Sequence, residues 1–142
     1  MKRADQELEA SPPAIPGKPI NKFATIAICL GGWMIPGLAH LLLGKWLRAI
    51  ILSACVLIMF LLGLAMSGKL YDTAFEQPLH IFALLADLGV GLAYFIAQRL
   101  GLGAGAITEP SYDYGTTFLW VSGLLNYLIL LDAFDIAQGR KP

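Results

Sequence analysis

Charged residues are scarce in this sequence. Asp, Glu, Lys and Arg make up 14% of its 142 residues, whereas a soluble globular domain carries about 25%. Hydrophobic residues make up 57%, and the mean hydropathy is +0.67. Ten basic and ten acidic side chains cancel, so the chain lacks the excess positive charge of a nucleic-acid-binding protein. The composition excludes a soluble domain and predicts an integral membrane protein with no nucleic-acid partner.

Cysteine and histidine are almost absent, with two residues of each kind. Cys29 and Cys55 fall at different depths of two apolar stretches, which predicts packing residues rather than a disulfide. His40 and His80 are expected near opposite ends of the fold, which disfavours a haem held by both. The sequence offers no credible Ser-His-acid or Cys-His arrangement and no supported metal-ligand spacing. It therefore predicts a protein that is not an enzyme and has no metal or cofactor.

Long hydrophobic stretches separate the few charged residues of the sequence. Four of them reach the roughly 17 to 25 residues that a helix needs to cross about 30 Å of hydrocarbon. Unpaired backbone groups are costly in lipid and the alternation of a barrel strand is missing, so these stretches are predicted to be helices. They cover residues 23–43, 47–66, 79–97 and 115–131. The predicted fold class is all-α: a polytopic membrane protein with four transmembrane helices in a small bundle.

The remaining residues form two tails in this prediction. Residues 1–22 are polar and proline-rich, which predicts a disordered cytoplasmic tail. Residues 23–135 are the predicted transmembrane domain, and residues 136–142 are a C-terminal tail. The first apolar stretch also fits a signal peptide, since small residues follow Pro36 in a cleavage-like pattern. Leu41, Leu42 and Leu43 continue the apolar run beyond that point, so we expect the first helix to be retained.

Lys and Arg near the ends of the stretches predict the orientation. With four crossing helices and a cytoplasmic N-terminus, seven of these residues lie inside and three outside, which favours this orientation. A re-entrant first stretch gives the same ratio, so charge does not distinguish these two topologies. In the four-helix topology the inner residues are Lys2, Arg3, Lys18, Lys22, Lys69, Arg140 and Lys141, and the outer ones are Lys45, Arg48 and Arg99.

A distinctive segment joins the first two stretches, with the sequence GGWMIPGLAHLLLGKW over residues 31–46. Pro36 removes a backbone donor and Gly37 follows it, so the first helix is predicted to break near Pro36. Gly44 and Lys45 form a connection short enough to require an antiparallel helical hairpin. The pattern PGLxHxxxGK resembles the first helix and turn of the two-transmembrane-domain family. Leu41 and Leu42 depart from that family, which often has polar and aromatic residues after the histidine.

The resemblance extends to the distal part of the chain, where DYGTTFLWVSGLLNYLILLDAFDIAQGRK covers residues 113–141. With the hairpin segment, it makes the chain similar to a small uncharacterised four-helix family of bacterial membrane proteins, a domain of unknown function. The resemblance implies a multi-pass protein of the bacterial inner membrane. It brings no known activity.

Polar residues on the third and fourth stretches form the candidate site. His80, Asp87 and Tyr94 are spaced by seven residues, which places them on one face of a continuous helix. An ionised Asp87 is costly in lipid, so it should point inward and be paired. His40 is the expected partner, with Asn126 and Ser122 as further candidates. The set His40, Asp87, Tyr94 and Asn126 is thus predicted to be either a structural clasp or a proton, ion or cofactor site.

The function predicted from these features is non-enzymatic. Small residues on two faces of the predicted helices suggest contacts with other membrane subunits or with a second copy. The leading hypothesis is a scaffold or accessory subunit of a larger membrane complex, surrounded by membrane lipids. The alternative is a small oligomeric transporter or proton-relay module centred on Asp87.

Overall fold

The computed structural model describes residues 20–72 and 78–141, and it is all-helical over these ranges. Lys69 and Ala104 form an isolated bridge, and this part of the chain contains no strand. Its helices are α1 (Lys22–Met34), α2 (Leu38–Leu42), α3 (Trp46–Ala65), α4 (Pro78–Leu88), α5 (Leu92–Arg99) and α6 (Tyr112–Ala137).

Two helices, α3 and α6, are long and apolar enough to cross a membrane. Helix α3 has 20 residues and α6 has 26, which correspond to about 30 and 39 Å at 1.5 Å per residue. Helix α1 has 13 residues, about 20 Å, too short for a crossing of about 30 Å. Counting the bent pair α4 and α5 as one span raises the number to three. The described residues therefore contain two or three candidate spans, and the predicted bundle of four crossing helices is not confirmed.

The first apolar stretch breaks where the sequence predicts it. Helix α1 ends at Met34, and α2 begins at Leu38 after Pro36 and Gly37. Gly37 adopts a φ of +82°, in the left-handed region that favours glycine. Proline cannot donate a helical hydrogen bond, and the glycine that follows it reverses the chain. Gly32 on α1 then packs directly against Ala39 on α2, so the two helices form a folded-back pair.

The third apolar stretch is also broken, and here the prediction of one continuous helix over residues 79–97 is wrong. Helix α4 ends at Leu88, α5 begins at Leu92, and the two are bent by 110° at the break. Gly91 adopts a φ of +71° between them. No proline marks this break; Gly89 and Gly91 provide the conformational freedom and the space for the turn.

The α1–α2 pair, called the first hairpin here, enters the fold from the end that holds both termini of the described chain. The Ile20 N–H donates to the Ala137 carbonyl at 3.0 Å, next to the last turn of α6. The break between α1 and α2 lies beside Asn126, halfway along α6. Helix α2 then returns, and Lys45 leads into α3. We call this end of the fold, with Ile20, Gly44 and Arg140, the terminal end.

The α4–α5 pair, the second hairpin, enters from the opposite end. Its break also lies beside Asn126, and α5 returns along the second half of α3, where Ala97 packs near Phe60 and Leu64. Helix α5 leads to a loop in which the Gly103 carbonyl accepts from Leu70 N–H at 2.8 Å. We call the end that holds Lys69, Gln98 and Tyr112 the loop end.

The two halves of the described chain thus share one order of elements. Each consists of a helix, a break with a positive-φ glycine, a shorter helix and a long helix. The tripeptide Gly-Leu-Ala follows both breaks, ending before His40 in the first half and before Tyr94 in the second. Because α3 and α6 run antiparallel, the second half is inverted relative to the first.

Small residues allow close helix packing inside the molecule. A Cβ on Gly63 of α3 would lie 2.8 Å from the Gly115 carbonyl oxygen of α6. A side chain on Gly123 of α6 would overlap the Ala86 carbonyl of α4. The small residues that suggested external contacts at these positions are therefore used within the chain. The apolar core lies between α3, α6 and the second hairpin, and contains Val56, Phe60, Leu70, Val90, Tyr94, Ala97, Leu119 and Ile129.

The predicted tails differ from the structure at their inner boundaries. Residues 1–19 and 142 lie outside the described residues, so the predicted disorder of the first tail is not addressed there. Helix α1 begins at Lys22, after the Asn21 side chain accepts a 3.4 Å hydrogen bond from Phe23 N–H as its cap. Helix α6 continues to Ala137, beyond the predicted end of the fourth span at residue 131.

Candidate functional site

Asn126 is the point at which both hairpins are bound to α6. Its side-chain amide nitrogen lies 2.8 Å from the Gly89 carbonyl oxygen, 3.3 Å from that of Trp33 and 3.4 Å from that of Gly32. These carbonyls belong to the ends of α1 and the break after α4, where helical partners are missing. The side chain is 1% exposed. One amide therefore compensates both helix breaks.

The two hairpins also contact each other directly at this level. The Trp33 indole N–H donates to the Leu88 carbonyl at 3.2 Å. A Cβ on Gly91 would overlap the Trp33 carbonyl oxygen, so the second break is packed tightly against the first. Val90, between the two, is fully buried. The centre of the molecule is consequently closed by backbone and apolar groups.

His40 lies toward the terminal end, where it binds α6. Its Nε2 is 3.1 Å from Oδ2 of Asp132, and the other Asp132 oxygen accepts from Lys141 Nζ at 2.8 Å. The Asp132 carboxylate raises the pKa of Lys141 above its usual value. The His40 side chain is fully buried, whereas the Asp132 side chain is 34% exposed. This chain of contacts joins α2, α6 and the residues after α6.

Asp87 lies in the second hairpin, one residue before the end of α4, and is fully buried. Its Oδ2 accepts the backbone N–H of Tyr71 at 2.9 Å. Its Oδ1 has no hydrogen-bond partner among the described residues. The Tyr71 ring contacts His80 of α4 at 5.2 Å and Trp120 of α6 at 5.9 Å between ring centres.

Tyr94 connects Asp87 to the loop end through Tyr71. The Tyr94 hydroxyl donates to the Tyr71 carbonyl at 2.7 Å, and the Gln98 side-chain amide donates to the Tyr94 oxygen at 3.3 Å. Gln98 also lines a cavity of about 230 Å³ together with Lys69 and Asp72. A polar path thus leads from this cavity to the neighbourhood of the buried carboxylate.

The four predicted polar residues therefore lie in three places along the fold. Asp87 and Tyr94 meet at Tyr71, Asn126 lies at the centre, and His40 lies toward the terminal end. The expected pairing of Asp87 with His40 is absent. The continuous helix behind the seven-residue spacing is also absent, because the chain breaks between Asp87 and Tyr94 and folds back. Asp87 and Tyr94 are close together because the chain folds back at this break, which brings α5 alongside Tyr71 in the loop before α4.

The predicted hairpin residues occupy both turns of the first half. Pro36 and Gly37 form the break, and Gly37 lies against the Ala49 carbonyl of α3. Gly44 has a φ of +74° with open space where a Cβ would lie. The Lys45 N–H donates to the His40 carbonyl at 2.8 Å, and Lys45 is the residue before α3.

Some site residues were missed or misplaced by the sequence analysis. Asp132 follows residue 131, where the predicted fourth span ends, and it lies within α6 and pairs with His40. Tyr71 precedes the third predicted stretch, and its backbone N–H donates to Asp87. Gln98 carried one signal, because it lies four residues after Tyr94 and a helix places both on one face. Nothing in the sequence indicated the Trp33 contact. Over residues 20–72 and 78–141, no group of three or more His, Cys, Asp or Glu is close enough to hold a metal ion.

The described residues thus define an all-helical protein with two helices apolar enough to cross a membrane. Residues 27–142 match a family of unknown function, DUF6677, and this match covers most of the chain. The chain belongs to that family, in agreement with its resemblance to an uncharacterised family. No curated protein and no solved structure matches the chain.

Proposed function

We propose that this protein is a non-enzymatic integral membrane protein that serves as a scaffold or accessory subunit of a larger membrane complex. The observation that supports this proposal best is that the buried polar side chains bind broken helices to α6. The Asn126 amide and the pair of His40 with Asp132 bind broken helices to α6. These groups stabilise the positions of the broken helices relative to α6. Large apolar side chains remain exposed along α3 and α6, including Leu61, Leu128 and Leu131.

The proposed topology has two crossing helices, α3 and α6, and two hairpins that enter the bilayer halfway from opposite sides. Irregular backbone at membrane depth is tolerated where protein buries it, as the Asn126 region does for both breaks. The chain before α1, the Gly44 connection and the C-terminus then share one side. Neither topology considered from the sequence has this arrangement.

Positive charge supports this topology more strongly than either sequence-based one. Among the described residues, five Lys and Arg residues lie toward the terminal end and two toward the loop end; in the proposed topology the three in residues 1–19 join the first group, which gives eight against two. By the positive-inside rule, the terminal end faces the cytoplasm. We therefore propose a location in the bacterial inner membrane with both termini inside. The two sets are Lys2, Arg3, Lys18, Lys22, Lys45, Arg48, Arg140 and Lys141 inside, and Lys69 and Arg99 outside.

A pull-down in mild detergent tests the proposed role. The tagged protein is expressed at its native level, purified and analysed by mass spectrometry for co-eluting membrane proteins. We expect at least one partner in stoichiometric amount, and the tagged partner should capture this chain in return. The variant Asn126→Leu serves as the control, because it removes the interactions that hold the hairpins without altering the lipid-facing surface.

Two results bear against the scaffold proposal. A monomer without a co-purifying protein contradicts it. If Asn126→Leu is shown to be unfolded, capture of the same partner by this variant as strongly as by the wild-type protein also contradicts it. A homo-oligomer without other partners favours the second candidate function described next. An absorption spectrum of the eluate also shows whether a coloured cofactor accompanies the complex.

The second candidate is a small oligomeric transporter or proton-relay module centred on Asp87. Two observations favour it: the buried Asp87 carboxylate has only one hydrogen bond among the described residues, and two broken helices meet beside Asn126. Transporters often bind their substrates beside broken helices in inverted repeats. The variant Asp87→Asn separates the candidates: a relay loses proton flux while staying folded, whereas a structural clasp loses stability without affecting any flux.

A further inference from the structure

The environment of Asp87 does not stabilise a charged carboxylate. The side chain is fully buried, and the Tyr71 N–H is its one hydrogen-bond donor among the described residues. No ion pair to Asp87 forms within residues 20–72 and 78–141. An isolated carboxylate without compensation is strongly disfavoured in an apolar interior, and the group becomes protonated instead. These surroundings therefore favour the neutral acid over the carboxylate.

The polar surroundings of Asp87 all extend toward the loop end. From the preceding loop come Tyr71, Lys69 and Asp72, with Lys69 Nζ 5.2 Å from the Tyr71 ring centre. Helix α4 contributes His80, α5 contributes Tyr94, and α6 contributes Tyr112 through its interaction with Tyr71. Tyr94 and Gln98 then connect this group to the cavity of about 230 Å³ at the loop end.

The opposite direction is closed. Between Asp87 and the terminal end lie the fully buried Val90, the Trp33 indole bound to the Leu88 carbonyl, and the tight contact of Gly91 with Trp33. The Asn126 amide nitrogen is already directed at three carbonyls. No chain of hydrogen bonds joins Asp87 to His40 among the described residues. Polar access to the carboxyl group is thus one-sided.

We propose that Asp87 is a reversible proton-binding site that exchanges only with water from the loop end, which reaches the carboxyl group past Gln98 and Tyr94. The step is simple: the O–H bond on Asp87 breaks, the proton passes to water in the cavity, and the electron pair stays on the carboxylate. Return of a proton reverses it. This inference concerns the acid on which the second candidate function is centred, and it goes beyond that function because one-sided proton exchange does not require flux across the membrane.

Infrared difference spectroscopy of the protein in lipid nanodiscs tests the site. A buried carboxylic acid gives a C=O stretching band that disappears on deprotonation at high pH and shifts in D₂O. We expect this band in the wild-type protein and in Asp113→Asn, a control at an exposed acid of α6, but not in Asp87→Asn. Absence of an Asp87-dependent band overturns the proposal.

Removing members of the path tests the exchange route without removing the acid. Tyr94→Phe and Gln98→Leu keep Asp87 in place, so the band persists. Its exchange in D₂O should slow by about tenfold, because water that enters past Tyr94 and Gln98 loses one hydrogen-bond partner on the way. These variants keep the proposal testable if Asp87→Asn does not fold. Exchange as fast as in the wild-type protein contradicts the route.

Vesicles with the protein in one known orientation test the sidedness. A change of external pH should alter the Asp87 band rapidly only when the loop end faces outward. A rapid response from the terminal end overturns one-sided access. Proton flux is measured on the same vesicles: an Asp87 band that titrates without any flux leaves the proton site intact and refutes the relay function.

Discussion

At the scale of single residues, buried polar side chains in this protein bind backbone rather than one another. Asn126 binds carbonyls of two hairpins, Asp87 accepts a backbone N–H, and Tyr94 donates to a carbonyl. The Asn126 contacts compensate helix breaks, which leave backbone groups without partners, whereas Asp87 and Tyr94 bind the backbone of Tyr71 in the loop before α4. His40 differs, because it pairs with the side chain of Asp132. The identity of each polar residue could be read from the sequence, but its partner could not, since that partner is a backbone atom of a distant element.

The variant Asn126→Leu should lower the free energy of unfolding by about 2 to 4 kcal/mol, because it keeps the side-chain size but leaves buried carbonyls without a donor. Ser122→Ala on the same helix is the matched control. The Ser122 hydroxyl bonds only to the Leu119 carbonyl of its own helix, at 2.6 Å, so its loss should cost less than about 1 kcal/mol. Denaturation in mixed detergent micelles measures both, and equal losses would contradict the role assigned to Asn126.

At the scale of elements, the two helix breaks have different origins. The first has a sequence signal, since proline followed by glycine interrupts a helix wherever it occurs. The second depends on Gly89 and Gly91, and isolated glycines are common in membrane helices without breaking them. The break at Gly91 is selected because it lies against the Trp33 carbonyl, where no side chain fits. This long-range contact explains why the continuous third helix was predicted wrongly.

Substitution of two glycines compares a packed turn with an open one. Gly91 and Gly101 both have positive φ values, +71° and +68°, so alanine strains the backbone at both. The strain is larger at Gly91, because its ψ of −126° lies in a region that almost only glycine adopts. A Cβ meets nothing within 4 Å at Gly101 but overlaps the Trp33 carbonyl at Gly91. Gly91→Ala should therefore reduce the thermal unfolding temperature much more than Gly101→Ala. Similar reductions would show that the hairpins are not in close contact.

At the scale of the whole molecule, the order of elements makes the second half an inverted version of the first. Each half has a hairpin whose break lies beside Asn126 and a helix that is long and apolar enough to cross a membrane. The free carbonyls at the break of each hairpin accept from the Asn126 side-chain amide of α6, so both hairpins depend on this residue. The halves are therefore expected to fold cooperatively rather than as separate units.

The proposed topology predicts which positions share a side of the membrane. Cysteines introduced at Gly44 and Arg140 should react with a membrane-impermeant maleimide from one side, and those at Lys69 and Arg99 from the other. Four crossing helices would instead group Gly44 with Arg99 and Lys69 with Arg140. Labelling of intact cells and of inverted vesicles distinguishes the two patterns.

The controls for this labelling follow from the native thiols. Cys29 and Cys55 are both free, so they are first replaced by serine and the protein is checked for folding. A membrane-permeant maleimide should label all four introduced cysteines from either side. Reaction of Gly44→Cys on the side opposite to Arg140→Cys would contradict a half-entering first hairpin.

The sequence by itself determined the helical class, the apolar character and the break at Pro36, because composition and proline chemistry act locally. It also marked Asp87, Tyr94, His40 and Asn126 as polar residues that need an explanation in apolar surroundings. Only the tertiary structure decided how many apolar stretches can cross a membrane and which polar groups meet. Both properties depend on the positions of backbone atoms that are distant in sequence. Hydrophobicity does not encode these positions, because it is similar for a crossing helix and for a folded-back pair of helices.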